Sequence, residues 1–184
     1  MTLEEEALLR VARALESESI PYMVTGSLAS SYHGRPRTTH DADLVIDPTP
    51  AQLDRLVRRL AGEGFFLDAD RAQDALHRRL QFNAIEMETG WKIDLIFRKD
   101  RLFSRTELER RQNVNLTADA VVVMASPEDT ILSKLEWARK AGGSEKQLAD
   151  VRGILEVNPD LDRAYLERWA GELGVTDLWK TLQG

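Results

Sequence analysis

Apolar positions near the start of the chain recur at three- and four-residue spacing. Leu3, Ala7, Leu8, Val11, Ala12 and Leu15 form one stripe, which predicts a helix over 3–17. The apolar run 22–25 then reads as a strand ending at Gly26-Ser27, and the small residues 27–31 suit a helix packed closely upon it. A polar, proline-marked loop, 35–40, leads into a second strand, Asp41 to Asp47, in which polar and apolar positions alternate up to Pro48. After Thr49-Pro50, Leu53, Leu56, Val57 and Leu60 share a helical face that Gly62 and Gly64 close. Phe65-Phe66-Leu67 reads as a strand, and Arg79–Glu86 and Trp91–Phe97 as the arms of a hairpin. The stretch 98–111 reads as basic and irregular, and 120–125 as one more strand.

From Ser126 the pattern changes. Ser126-Pro127-Glu128-Asp129 combines a capping serine, a proline suited to the first helical position and early acids. Helices are predicted at 127–140, 144–156, 160–172 and 175–182, separated by Gly142-Gly143, Asn158-Pro159 and Gly174. The order gives an α/β core with a mixed sheet flanked by helices over 1–125, followed by a C-terminal helical tail over 126–184.

Composition narrows the chemistry. The 184 residues are enough to bury a real core, and they contain no cysteine. A disulfide framework, a thiolate nucleophile and a cysteine-held zinc are therefore excluded. The three histidines, His33, His40 and His77, are too scattered to suggest a zinc site. The net charge of −6 disfavours indiscriminate binding to long nucleic acid. The acidic, amphipathic N-terminal stretch lacks the pattern of a signal or transit peptide, and no apolar run is long enough for a bilayer span. A cytoplasmic protein with no membrane partner is expected.

In a strand, Asp41 and Asp43 project to one face with Ala42 on the other. Neighbouring carboxylates repel unless a cation offsets them, and hard divalent ions such as Mg²⁺, with Mn²⁺ as the alternative, prefer oxygen ligands. Asp94 interrupts the apolar run 91–97, where an unpaired buried acid is costly, so it too is expected to meet a cation or a donor. A third carboxylate could hold a second metal or take a proton from an incoming hydroxyl. Gly26-Ser27, between a strand and a helix, offers backbone N–H groups and a hydroxyl to a phosphate.

These strings resemble a family. Val24-Thr25-Gly26-Ser27, thirteen residues, then Asp41-Ala42-Asp43-Leu44-Val45 is similar to the signature of the nucleotidyltransferase superfamily, which has the DNA polymerase β-like fold. Arg37-Thr38-Thr39 before the acids resembles the AbiEii/AbiGii-type toxins and related small bacterial nucleotidyltransferases, as does Ser133-Lys134-Leu135-Glu136-Trp137-Ala138-Arg139 with Asp150 downstream. The resemblance implies NTP phosphates on Gly26, Ser27 and Lys134, and Mg²⁺ on Asp41 and Asp43 with Asp94 as third carboxylate. Arg37 is added as a phosphate or acceptor contact because its loop runs straight into the metal strand. The expected reaction moves an NMP from an NTP to an acceptor (tRNA, protein or small molecule), with a cognate antitoxin as a partner if the chain is a toxin.

Blander readings compete. Taken singly, Gly-Ser is a turn, Asp-x-Asp a solvated strand edge, and Lys134 a surface lysine. Asp150 reads as a helix-surface acid, His40 as a neighbour rather than a ligand, and Trp91, Trp137, Trp169 and Trp179 as packing residues. The basic run 98–111 reads as a solvated face. The rival from another class is a catalytically silent nucleotide-binding or toxin–antitoxin interaction module of the same fold. A phosphotransferase is disfavoured by the lack of a Walker loop or kinase catalytic string.

Overall fold

The computed structural model describes residues 2–183. It contains one seven-stranded mixed sheet, formed by β1 (Tyr22–Thr25), β2 (Asp41–Ile46), β3 (Phe65–Phe66), β4 (Gln81–Glu86), β5 (Lys92–Phe97), β6 (Gln112–Thr117) and β7 (Ala120–Met124) in the order β3-β4-β5-β2-β1-β7-β6. β2 runs parallel to β5 and β1 parallel to β7, and the remaining neighbours are antiparallel.

Strict alternation on the central strands gives the sheet two different faces. Val24, Leu44, Ile46, Phe82, Ile93, Leu95 and Phe97 turn one way. They bury against the apolar stripes of α1 (Leu3–Ser17), α3 (Pro50–Gly62) and α4 (Ala69–Arg78). Thr25, Asp43, Val45, Asp94 and Ile96 turn the other way and face a cleft. Beyond this second face lie α2 (Gly26–His33), α5 (Leu102–Glu109) and α6 (Pro127–Lys140). A second apolar cluster joins Phe103 of α5 to Ile131, Leu132 and Leu135 of α6 and to α7 (Glu145–Val157), α8 (Arg163–Glu172) and α9 (Thr176–Thr181).

α6 is anchored at its start, where Ser126 Oγ accepts from the Asp129 N–H at 3.1 Å and donates to the Asp129 carboxylate at 2.6 Å. Tyr165 donates to the other oxygen of Asp129 at 2.6 Å, which ties α8 to the same corner. The helix that forms one wall of the cleft thus has a defined starting point.

Three elements depart from the sequence expectations. α4 escaped notice because only Ala72, Ala75 and Leu76 bury, a stripe too sparse to stand out. β6 is a polar edge strand whose Val114 is its one buried residue. The region read as irregular holds α5, and three of its five arginines are held by acids of other segments rather than freely solvated. Arg98 meets Asp47 at 2.8 Å, Arg101 meets Glu136 at 2.7 Å, and Arg110 lies 3.4 Å from both Glu128 and Asp129. Among the described residues, no helix is long and apolar enough to cross a membrane.

Candidate active site

Sheet register assembles one wall of the site. Asp43 on β2 lies opposite Thr25 on β1 and beside Asp94 on β5, while Asp41 lies beside Lys92. Asn83 on β4 is the next neighbour of Asp94. Asp41, Asp43 and Asp94 therefore share the cleft face of the sheet, although Asp94 is far away in sequence. Lys92 Nζ is 3.0 Å from Asp94 and 4.0 Å from Asp41. Asn83 donates its amide hydrogen to the second oxygen of Asp94. Burial, reinforced by the charges of Asp41 and Asp94, pushes the Asp43 carboxyl above its ordinary pKa, while Asp94 raises that of Lys92.

Gly26 holds this wall close to the phosphate cradle. Its φ is +64°, and a Cβ added there would collide with the Asp43 carboxylate. Glycine is needed twice over, for backbone conformation and for space. Directly after it begins α2, whose N-cap residue, Thr25, makes no side-chain hydrogen bond to the first turn. The N–H groups at this helix start are not capped by their own neighbour and are free to meet an anion.

A knot of opposite sign lies across the cleft. Lys134, on α6, donates to Asp150 at 2.8 Å, and Arg37 grips the same carboxylate at 2.9 and 3.0 Å. Arg37 also donates to Ser27 Oγ at 2.8 Å, and Ser30 donates to Asp150 at 3.1 Å. The Asp150 side chain is only 8 % exposed. The reading of Asp150 as a solvated surface acid is therefore corrected. Burial opposes its charge, but hydrogen bonds from Arg37 and Lys134 outweigh burial and hold its pKa at about 2. Lys134 is lowered by burial, against the pull of Asp150. Ser27, Arg37 and Lys134 are thus brought into one hydrogen-bonded group.

The two walls enclose a cleft of about 540 Å³, lined by Gly26, Ser27, Asp43, Asp94 and Lys134 at one end. The cleft continues over Val45 and Ile96 to Arg79, Arg98, Lys99, Arg101, Glu136 and Trp137. Trp91, Trp169 and Trp179 are buried as packing residues, but Trp137 is 61 % exposed at this far end, which corrects its assignment to packing. Sequence reasoning also missed Asn83. The alternation of Gln81-Phe82-Asn83-Ala84 marked it as outward-facing, but only the register placed it beside Asp94. His40 is exposed and makes no part of the wall, and His33 is buried against the Ala125 carbonyl at 2.8 Å.

Three carboxylates balanced by one lysine suit a hard divalent cation in their donor chemistry. In this conformation, however, no three Asp, Glu or His side chains among the described residues form a group able to hold an ion. The oxygens of Asp94 are engaged by Asn83 and Lys92 instead.

No protein-family model and no curated protein sequence matches the chain. Solved structures do. The antibiotic-resistance factor ANT(2″)-Ia in complex with adenylyl-2″-tobramycin is 15 % identical with TM-score 0.61, over 94 % of this chain and 97 % of that one. The lincosamide antibiotic adenylyltransferase LnuA, lincomycin-bound, is 12 % identical with TM-score 0.56, over 84 % of this chain and 98 % of that one. An antigenic nucleotidyltransferase-like protein from Paracoccidioides brasiliensis is 19 % identical with TM-score 0.58, over 100 % and 94 %. The chain has the nucleotidyltransferase fold.

Proposed function

We propose that this protein is an NTP-dependent nucleotidyltransferase that moves an NMP to an acceptor hydroxyl and releases pyrophosphate. One observation carries the reading. The register places Asp43 beside Asp94, and Gly26 brings the open N-terminus of α2 against the Asp43 carboxylate. A wall of acids touching a phosphate cradle is what nucleotidyl transfer uses. Adenylyl transfer to an antibiotic by proteins of the same fold, ANT(2″)-Ia and LnuA, supports it.

The triphosphate would lie against Ser27 and the N–H groups of α2, with the positive charge of Arg37 and Lys134 on its terminal phosphates. Asp150 keeps both cations pointing to one place and prevents them from folding onto the acid wall. Mg²⁺, or Mn²⁺, would be held by Asp41, Asp43 and Asp94, relieving Lys92 as the counter-charge to Asp94. When bound, such a cation supplies charge stabilisation at the reacting phosphate. The acceptor oxygen bonds to the α-phosphorus as the bond from that phosphorus to the α,β-bridging oxygen breaks. The hydroxyl proton passes to Asp94, and the electron pair leaves with pyrophosphate.

Purified protein is expected to release pyrophosphate from NTP when Mg²⁺ and a cell extract supply cation and acceptor, and Asp43→Asn is expected to lose that activity. Tight NTP binding in calorimetry, with no label transferred to anything in the extract, would instead establish the silent binding module. A toxin's role with a cognate antitoxin rests on the likeness of the Arg37 and Lys134 strings to AbiEii-type proteins. Growth arrest on induced expression, relieved by Asp43→Asn, is the result it requires.

A further inference from the structure

The far end of the cleft differs from the phosphate end in both charge and shape. Arg79, Arg98, Lys99 and Arg101 line it or its rim, with Lys140 and Arg105 alongside. Four acids accompany these six cations: Glu107, buried on the α5 side near Arg101, and three that are already matched. Asp47 is held by Arg98 and Arg79, Glu136 by Arg101 and Lys140, and Asp100 by Arg105. Lys99 makes no ion pair within 4.0 Å among the described residues; it stands beside Lys140, and the nearby carboxylate, Glu136, is already held by Arg101 and Lys140. Two adjacent ammonium groups are costly unless an anion comes between them, just as two carboxylates ask for a cation. Such a local surplus is notable in a chain of net charge −6.

Beside this surplus stands an unpartnered aromatic ring. Trp137 is 61 % exposed, lies on α6 one turn beyond Lys134, and enters no ring-stacking pair among the described residues. Leu80, on the opposite lip, is 47 % exposed. A flat ring with an apolar lip accepts the face of a base, and the cations beside it accept a phosphodiester backbone. Together these are the parts that single-stranded polynucleotide sites use. A polycationic aminoglycoside would meet the wrong sign here.

We infer that the far end of the cleft holds the 3′-terminal segment of a single-stranded polynucleotide as the acceptor. A terminal base would stack on Trp137, and the phosphodiesters would lie on Lys99, Arg101 and Lys140. This rests on the nucleotidyl-transfer reading and names its acceptor class. The terminal hydroxyl attacks the α-phosphorus of the NTP, so the product is the chain lengthened by one nucleotide, with pyrophosphate released and the hydroxyl proton taken by Asp94.

The test uses the whole protein and twelve-nucleotide single strands of RNA and of DNA with free 3′ hydroxyls. Binding is read by anisotropy and by quenching of tryptophan emission, since the other three tryptophans are buried. Trp137→Ala should weaken oligonucleotide binding ~10- to 100-fold. Lys99→Ala and Lys140→Ala should each weaken it and lower the salt slope by about one phosphate contact, with NTP affinity, measured in parallel, unaltered. Binding of RNA alone would identify 2′-hydroxyl recognition, and equal binding of DNA a backbone-and-stacking site; both support a polynucleotide acceptor. The proposal is overturned if neither strand binds while tobramycin does. It is also overturned if Trp137→Ala raises the KM for NTP but leaves oligonucleotide affinity intact, which would make Trp137 a platform for the donor base. Because binding needs no turnover, oligonucleotide affinity that survives in Asp43→Asn alongside a total lack of pyrophosphate release in the wild type would sink the transfer reading alone.

Discussion

The two walls of the cleft are built on opposite plans. The sheet wall gathers three carboxylates around one lysine, while the helical wall gathers an arginine and a lysine around one carboxylate. Each wall keeps a single counter-charge, Lys92 on one side and Asp150 on the other. The difference shows in the titration of the central groups. Asp43 is pushed up by burial and neighbouring acids, whereas Asp150 is held at about 2 by the cations around it. The first wall has negative charge to spare and the second is internally satisfied. A cation and a polyphosphate, arriving together, would complete the first and draw on the second.

Breaking the acid wall should have the largest effect. Asp43→Asn is expected to cost ~10³-fold or more in kcat, because a charge interaction worth several kcal/mol at the reacting phosphate is lost. A steady-state pyrophosphate assay checks it, and near-wild-type turnover would remove Asp43 from the mechanism. Next comes the cradle. Ser27→Ala should lower kcat ~10²- to 10³-fold if its hydroxyl stabilises developing charge as an oxyanion donor does, with circular dichroism unchanged. Unaltered kinetics would return Ser27 to being a partner of Arg37 only.

Lys134→Met sharpens the comparison, because it strikes the satisfied wall. From the sequence alone, little change in melting temperature is expected. The structure predicts otherwise, since the Lys134 side chain is 6 % exposed and bound to Asp150. Removing one partner of a buried pair costs ~3 to 5 kcal/mol, although Arg37 stays to hold Asp150 and brings the loss toward the lower bound. Lys134→Met is also expected to raise the KM for NTP, and the double variant Lys134→Met/Asp150→Asn should recover part of the melting temperature but leave that KM raised. Recovery of both would make the knot purely structural.

The smallest effect concerns Glu107, on α5 behind the far end of the cleft. Burial, with Asp129 nearby, pushes its pKa up to about 7. The folded state thus binds this proton more tightly than the unfolded chain does, and stability falls as pH rises from about 4.5 to about 7. Glu107→Gln should raise the melting temperature at pH 8 and leave it nearly unchanged at pH 4. An equal gain at both values would show that ionisation of Glu107 is not the cause.

Much of this was legible along the chain. The period of two placed Asp41 and Asp43 on one face, the helical stripes located α1, α3 and α6, and Ser126-Pro127 marked where α6 starts. These are local rules, carried by spacing within a dozen residues. α4 and β6 were harder because few of their residues bury, and α5 because two of its four buried residues, Ser104 and Glu107, are polar and blur the apolar stripe. Asp150 and Trp137 were misjudged for one shared reason. Whether a helical residue is buried or exposed depends on what another element lays over it, and no spacing within the helix records that.

What the sequence determined by itself was an α/β core with a helical tail and a short set of acids, glycine and serine suited to phosphate chemistry. Only the tertiary structure decided how they meet. It set Asp94 beside Asp43 through strand register, Gly26 against the Asp43 carboxylate, and Arg37 and Lys134 on one buried acid more than a hundred residues from Arg37. The physical reason is that ion pairs and register depend on distances in space, which chain folding sets, while amphipathic periodicity depends only on distances along the chain.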